Sequence, residues 1–300
     1  MIDVSILHGW VDRPDAVAAV MATLPTPTWA TAAPELAGSG EGTTVTLWKA
    51  IEQVSGRPFV FDKQTIGDCV SHGFGLGSDV VAACQITLDK TAETWVGRAA
   101  TEVIYGGSRV EIGGGRLWFD GSVGAWAAKW LSTYGVIPRG KYGRIDLTTY
   151  DGQRAKHWGR AGVPDELEPI AKQHPVTAIT QVSSYEEARD AIASGKPVPV
   201  CSSQGFSWTR DADGFSSPRG RWDHCMCFVG TIGDSRRPGL ICFNSWGDYL
   251  AGSPRGPLDI PDGGFAVDAE VADRMLRAGD SFALAGLRGW APSVPDFTLA

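Results

Sequence analysis

The stretch Ile241-Cys242-Phe243-Asn244-Ser245-Trp246-Gly247 decides how the rest of this chain is read. Residues 240–244 form a short run of strand length that ends on a polar residue before a glycine turn. An asparagine in that place has two readings. It is a common turn former. It also serves as an orienter, its side-chain amide oxygen accepting the second ring N–H of a catalytic imidazole while a neighbouring indole, here Trp246, keeps water off that bond.

Working outward, the segment Arg221-Trp222-Asp223-His224-Cys225-Met226-Cys227-Phe228-Val229-Gly230 brings a histidine into an apolar strand. Strand alternation puts His224 on one face with Met226 and Phe228, and Cys225, Cys227 and Val229 on the other. Taken alone, such a histidine reads equally as a satisfied core residue. Cys225-x-Cys227 has no second ligand pair at finger-like spacing, so no metal and no cofactor are expected. Much earlier comes Gln64-Thr65-Ile66-Gly67-Asp68-Cys69-Val70-Ser71-His72. The period of Val70, Phe74, Val81 and Leu88 predicts a helix starting near Cys69. A cysteine in the first turn sits among unpaired backbone N–H groups at the positive end of the dipole, which favours a thiolate. Its plain alternative is a small buried hydrophobe.

The 300 residues are 43% apolar and 20% charged, which excludes disorder. Net charge is −7, from 27 basic and 34 acidic residues without a basic run, so neither nucleic acid nor an anionic membrane is an expected partner. With 38 Gly and 18 Pro the chain has many turns, and coiled coils, bundles and solenoids are excluded. The amino terminus lacks a signal-peptide pattern, so a cytoplasmic place, or one within a particle or assembly, is expected. The six cysteines then read mostly as free thiols.

Helices are predicted over 14–24, from 69 to about 88, over 123–134 and after Ser184, where Glu187 completes a capping-box pattern. Strands are predicted at 198–201, 225–230 and 240–244. Residues 25–44, rich in Pro, Thr, Ala and Gly, read as part of an arm over 1–54. Helices followed by strands imply an α+β protein with two lobes and a site in the cleft between them.

Cys69, His224 and Asn244 occur in the order and near the separation of a papain-type enzyme, whose His and Asn lie about 130 to 150 residues after the Cys. The sequence resembles the papain-like cysteine peptidases over residues 55–270. The resemblance is carried by Gln64 and Gly67-x-Cys69, by Asp223-His224 followed by Val229-Gly230, and by Asn244-Ser245-Trp246-Gly247. Asp120-Gly121-Ser122 with the helix after it is similar to the family's Gly-Gly loop and following helix, Gly195-Lys196-Pro197-Val198 to its Gly-x-Pro-Val strand, and Gly205-Phe206 to its phenylalanine loop.

The resemblance implies a helical lobe over 55–175, an antiparallel, barrel-like β lobe over 176–270 and a C-terminal extension, 271–300, packed on the domain. It implies Cys69 as nucleophile, His224 as its acid–base partner in a thiolate–imidazolium pair, Asn244 as orienter, and Trp246 as cover of the Asn–His bond. Gln64 would supply an oxyanion donor, and Gly67, Asp120, Gly121, Ser122, Asp223 and Trp246 would meet the substrate. Hydrolysis of peptide or isopeptide bonds in a peptide or protein substrate follows. Departures are plain too. Gln64 stands one residue closer to Cys69 than the family's usual spacing, Ile66 replaces a disulfide cysteine, and Ser122 replaces a glycine. His72, one turn from Cys69, either faces solvent or packs, or tunes the thiolate. Residues 1–54 lack the family's helical prodomain pattern. Two other readings stand beside hydrolysis: an idle module with a structural or binding role in an assembly such as a virus particle, and a thiol amidase or transpeptidase acting on cell-wall peptides.

Overall fold

The computed structural model describes residues 4–91 and 93–290. Its elements begin with α1 (Pro14–Met21), α2 (Trp29–Ala32), β1 (Val45–Thr46), α3 (Trp48–Ser55), α4 (Cys69–Thr87), α5 (Thr101–Gly107) and α6 (Gly124–Thr133). A short hairpin, β2 (Lys141–Tyr142) and β3 (Ile145–Asp146), leads to α7 (Gly152–Ala161) and α8 (Glu168–Ala171). The rest holds β4 (Val176–Gln181), α9 (Tyr185–Ala193), β5 (Val198–Phe206), β6 (Pro218–Ile232), β7 (Gly239–Phe243), β8 (Gly264–Asp268), α10 (Ala269–Leu276) and β9 (Phe282–Leu287). The α+β class expected from sequence is the class observed.

Strand β6 is the spine of the main sheet. It pairs antiparallel with β5, Cys201 opposite Cys225 and Ser202 opposite His224, and with β7, Cys227 opposite Phe243. β8 lies beyond β7, and β1 pairs with the far end of β6. The barrel-like closure expected for these strands is not formed. The sheet stays open, and β4 and β9, which would extend it, pair with each other in a separate two-stranded sheet. Register shifts in β5–β6 beside Ser202 bend the pair next to His224, as bulges near functional sites often do.

Helix α4 is buried from Cys69 to Cys84. Its glycines, which lower intrinsic helix preference, are what let it approach the sheets. A Cβ at Gly73 would come within 2.7 Å of Cys225 Sγ and 2.9 Å of the Met226 carbonyl oxygen, and one at Gly77 within 2.8 Å of Leu284. Two apolar cores result. One gathers Trp48, Phe206, Phe228, Phe243 and Phe265 around the main sheet, and the other gathers Phe74, Val103, Trp126, Trp130 and Phe282 around α4, α5 and α6.

Residues 4–54, read from sequence as an arm, are woven into both cores. Leu7, Trp29, Leu47, Trp48 and Ile51 enter the first, and Trp10, Val17 and Val20 the second. Widely spaced tryptophans among Pro, Thr and Gly give no periodic signal, yet each buries a large apolar area. Within the extension expected at 271–300, α10 and β9 bury Ala272, Met275, Leu276, Phe282 and Leu284. Residues 291–300 lie outside the described residues.

Candidate active site

Cys69 opens α4 and is completely buried. Its Sγ accepts the backbone N–H of Cys225 at 3.3 Å, so the sulfur lies beside the strand residue that follows His224. The Gly9 backbone N–H also acts on it. Burial pushes the thiol well above its ordinary range, and Cys225 and Asp68 add to that. The sequence expectation of a thiolate here is therefore not met in this state. A helix N-terminus favours an anion by about 0.3–2 kcal/mol, too little to offset removal of a charge from water. All six cysteines are free and buried.

His224 enters on β6, fully buried, and its Nε2 lies 2.8 Å from Asn244 Oδ1. A carbonyl oxygen only accepts, so Nε2 carries the proton and Nδ1 is the basic nitrogen. Nδ1 makes no side-chain hydrogen bond among the described residues, and the Leu7 carbonyl acts on the ring. Asn244 is fixed in turn, its Oδ1 also accepting the Ser245 N–H at 2.7 Å. The Trp246 ring lies 4.7 Å from the His224 ring, centre to centre, and shields the His–Asn bond. Burial pulls the imidazole down to about 3, with Asn244 opposing, the His8 and His72 rings adding, and the Leu7 carbonyl opposing. Burial thus works against the charged form of both thiol and imidazole, and so against the ion pair expected.

Residues 7–11 of the same chain lie against this site. Gly9 N–H and Trp10 N–H both donate to the Asp223 carbonyl at 3.0 Å. Ser122 N–H donates to the Gly9 carbonyl at 2.8 Å, and Val11 N–H to the Ser122 carbonyl at 2.9 Å, which makes Trp10 and Ser122 a parallel bridge. The Ser122 side chain turns away to Ser108, Oγ to Oγ 2.8 Å, so replacing glycine leaves the backbone pairing open. Gly9 lies on Gly67: a Cβ at Gly9 would fall 2.0 Å from the Gly67 carbonyl oxygen. Gly121, at φ +132°, packs against the Gly9 carbonyl from the other side. Asp120 takes no part, its carboxylate pairing with Lys156 at 3.3 Å.

Gln64 is buried beside this segment. Its Nε2 donates to the Leu7 carbonyl at 2.9 Å and the Ile66 carbonyl at 2.8 Å, and its Oε1 accepts from Ser245 Oγ. The donor expected for an oxyanion is occupied by a carbonyl of the covering segment. Sequence reasoning left open whether the N-terminal arm enters the cleft and did not single out residues 7–11. The available signal was Gly9-Trp10, a glycine beside a large aromatic.

His72, exposed or packed in the sequence reading, is buried between two carboxylates. Nδ1 is 3.5 Å from Asp62 Oδ2, and Nε2 is 3.5 Å from Asp68 Oδ2. Tyr150 OH donates to Asp68 at 2.9 Å, and Arg98 pairs with Asp62 at 3.1 Å and with Asp79. Burial lowers the His72 value, but Asp68 and Asp62 outweigh it and hold the ring at about 9, a cation.

The fold is similar to that of xylellain, a cysteine protease from Xylella fastidiosa, with a TM-score of 0.59 and 17% identity over 95% of this chain and 97% of that one. It is also similar to the digestive procathepsin L2 proteinase from the larval midgut of Tenebrio molitor, with a TM-score of 0.50 and 14% identity over 95% of this chain and 81% of that one. No family model matches the sequence, and no curated protein matches it. The chain therefore has the fold of the papain-like cysteine proteases.

Proposed function

We propose that this chain is a thiol peptidase hydrolysing peptide or isopeptide bonds, kept latent by its own residues 7–11. One observation carries the reading. His224 on β6 is bonded to Asn244 just after β7, the Cys69 sulfur at the start of α4 accepts the N–H of the residue that follows His224, and a stretch of polypeptide lies hydrogen-bonded to Ser122 and Asp223.

Once that stretch leaves, water returns to sulfur and imidazole, and His224 Nδ1 takes the Cys69 thiol proton. Sγ attacks the substrate carbonyl carbon and the C=O electron pair moves to oxygen. Gln64 Nε2, freed from Leu7, and the Cys69 N–H would donate to that oxygen; one such donor is worth about a hundred- to thousand-fold in rate. Collapse expels the amine, which takes the proton from Nδ1, and leaves a thioester. His224 then deprotonates water, which attacks the thioester and releases the acid and the thiol. Asn244 keeps Nε2 protonated throughout.

Complete burial of Cys69 favours a second reading, an idle module. The two are separated with an epoxide or vinyl-sulfone reagent and a peptide library read by mass. A Gly9→Val chain, in which the branched side chain cannot fit against Gly67, is expected to be labelled at Cys69 and to cleave peptides, and Cys69→Ser is expected to abolish both. Label only at another cysteine, or no cleavage by the opened chain, rejects the peptidase.

A further inference from the structure

Within the covering segment, the Trp10 side chain makes a hydrogen bond to a distant buried carboxylate. Its Nε1–H donates to Asp280 Oδ2 at 2.8 Å, and Trp10 itself is 5% exposed. Asp280 lies between α10 and β9 and is 1% exposed. Its two oxygens also accept Gly124 N–H at 2.7 Å and Ala125 N–H at 2.6 Å, the first turn of α6. Gly124 makes this possible, since a Cβ there would lie 2.7–2.9 Å from the Asp280 backbone and carboxylate. The two donors from α6 are permanent; the indole belongs to the segment that must leave.

We infer that the pocket filled by Trp10 is the specificity pocket of this site, and that Asp280 selects a substrate side chain with an apolar body ending in an N–H donor, an indole foremost. The occupant's backbone bridges Ser122, two residues from the start of α6, so a substrate residue pairing with Ser122 directs its side chain along the same path. A side chain of that shape without the donor loses its bond to the carboxylate and leaves Oδ2 with the Gly124 N–H alone, a loss of about ten- to a hundred-fold in affinity or rate. Asp280 as a helix cap alone would make no such distinction. The substrate part of the inference rests on the peptidase reading; the pocket's preference does not.

The test separates them. In the full chain carrying Trp10→Ala, indole is expected to raise the melting temperature, and indene, equal in shape but without the N–H, is expected to do so far less. In the same chain with Asp280→Asn, indole and indene are expected to act alike. Equal effects of indole and indene in Trp10→Ala, which needs no change at Asp280, overturn the inference, as does a preference that survives Asp280→Asn. Turnover then reads the substrate: among peptides differing at one position, Trp is expected to exceed Phe in kcat/KM by about tenfold or more. Turnover without that preference overturns the inference and leaves the peptidase standing. An indole-selective pocket in a chain that turns over no peptide overturns the substrate assignment and the peptidase reading together, and leaves the pocket's selectivity in place.

Discussion

Burial disfavours the charged forms of Cys69 and His224 in the closed state, and residues 7–11 lie among the groups around them. Carboxamidomethylation of Cys69 at neutral pH is expected to be slow in the native chain and at least about tenfold faster in Gly9→Val. The rate in the opened chain should rise below the ordinary thiol value of about 8.5 if His224 assists ionisation; a profile centred at that value would reject the assistance. His72 makes a separate forecast. Its value is raised from 6.5 to about 9 in the folded chain, so the stability it contributes is complete below pH 6.5 and lost as pH rises through about 9. The urea midpoint of the native chain should fall between pH 7 and 10 more than that of His72→Gln. At this scale the sequence was informative where rare residue types stand at set separations: the His224–Asn244 pairing and the place of Cys69 at the start of α4 were legible. The ionic partners of His72 were not, because Asp62 and Asp68 look like any surface aspartates until the fold closes over them.

Elements were legible where periodicity is strong. The helix expected from 69 to about 88 is α4, and the one expected over 123–134 is α6. The stretch 141–173, patternless in sequence, holds α7 and α8, whose amphipathic faces are short and interrupted by charge. Strands β4, β8 and β9 escaped because five- or six-residue runs with mixed burial do not separate from loop by period alone. The glycines of α4 tell the same story in reverse: locally they argue against a helix, and only the sheet behind them explains their presence. Gly73→Ala improves helix propensity by about 1 kcal/mol but drives a methyl onto Cys225 Sγ and the Met226 carbonyl. Overpacking of that kind costs about 1–3 kcal/mol, so the net expectation is a lower urea midpoint. An unchanged or higher midpoint would mean that α4 and β6 have room to part.

Across the whole molecule, buried ionisable groups oppose one another as the solution is acidified. His224 sits at about 3 in the fold against 6.5 when exposed, so the unfolded chain binds the extra proton first. Its contribution is present above pH 6.5 and is lost as pH falls toward 3. Asp79 and Asp280 behave oppositely: burial raises them from 3.8 to about 6 and about 7, so the folded chain binds protons first and gains stability as pH falls from 7 to 4. The gains of the two carboxylates end near pH 4, where the loss from His224 is still running. The two gains together exceed the one loss, so stability should rise from pH 7 to about 5 and fall below 4. Substituting His224→Gln should flatten the low-pH fall, whereas Asp280→Asn should bring its onset to higher pH by removing one of the compensating gains. Urea titrations of the three chains at pH 7, 5 and 3.5 read both effects. A His224→Gln chain that loses stability below pH 4 as fast as the native chain would show that the imidazole is already solvated, and that residues 7–11 do not seal the site in solution.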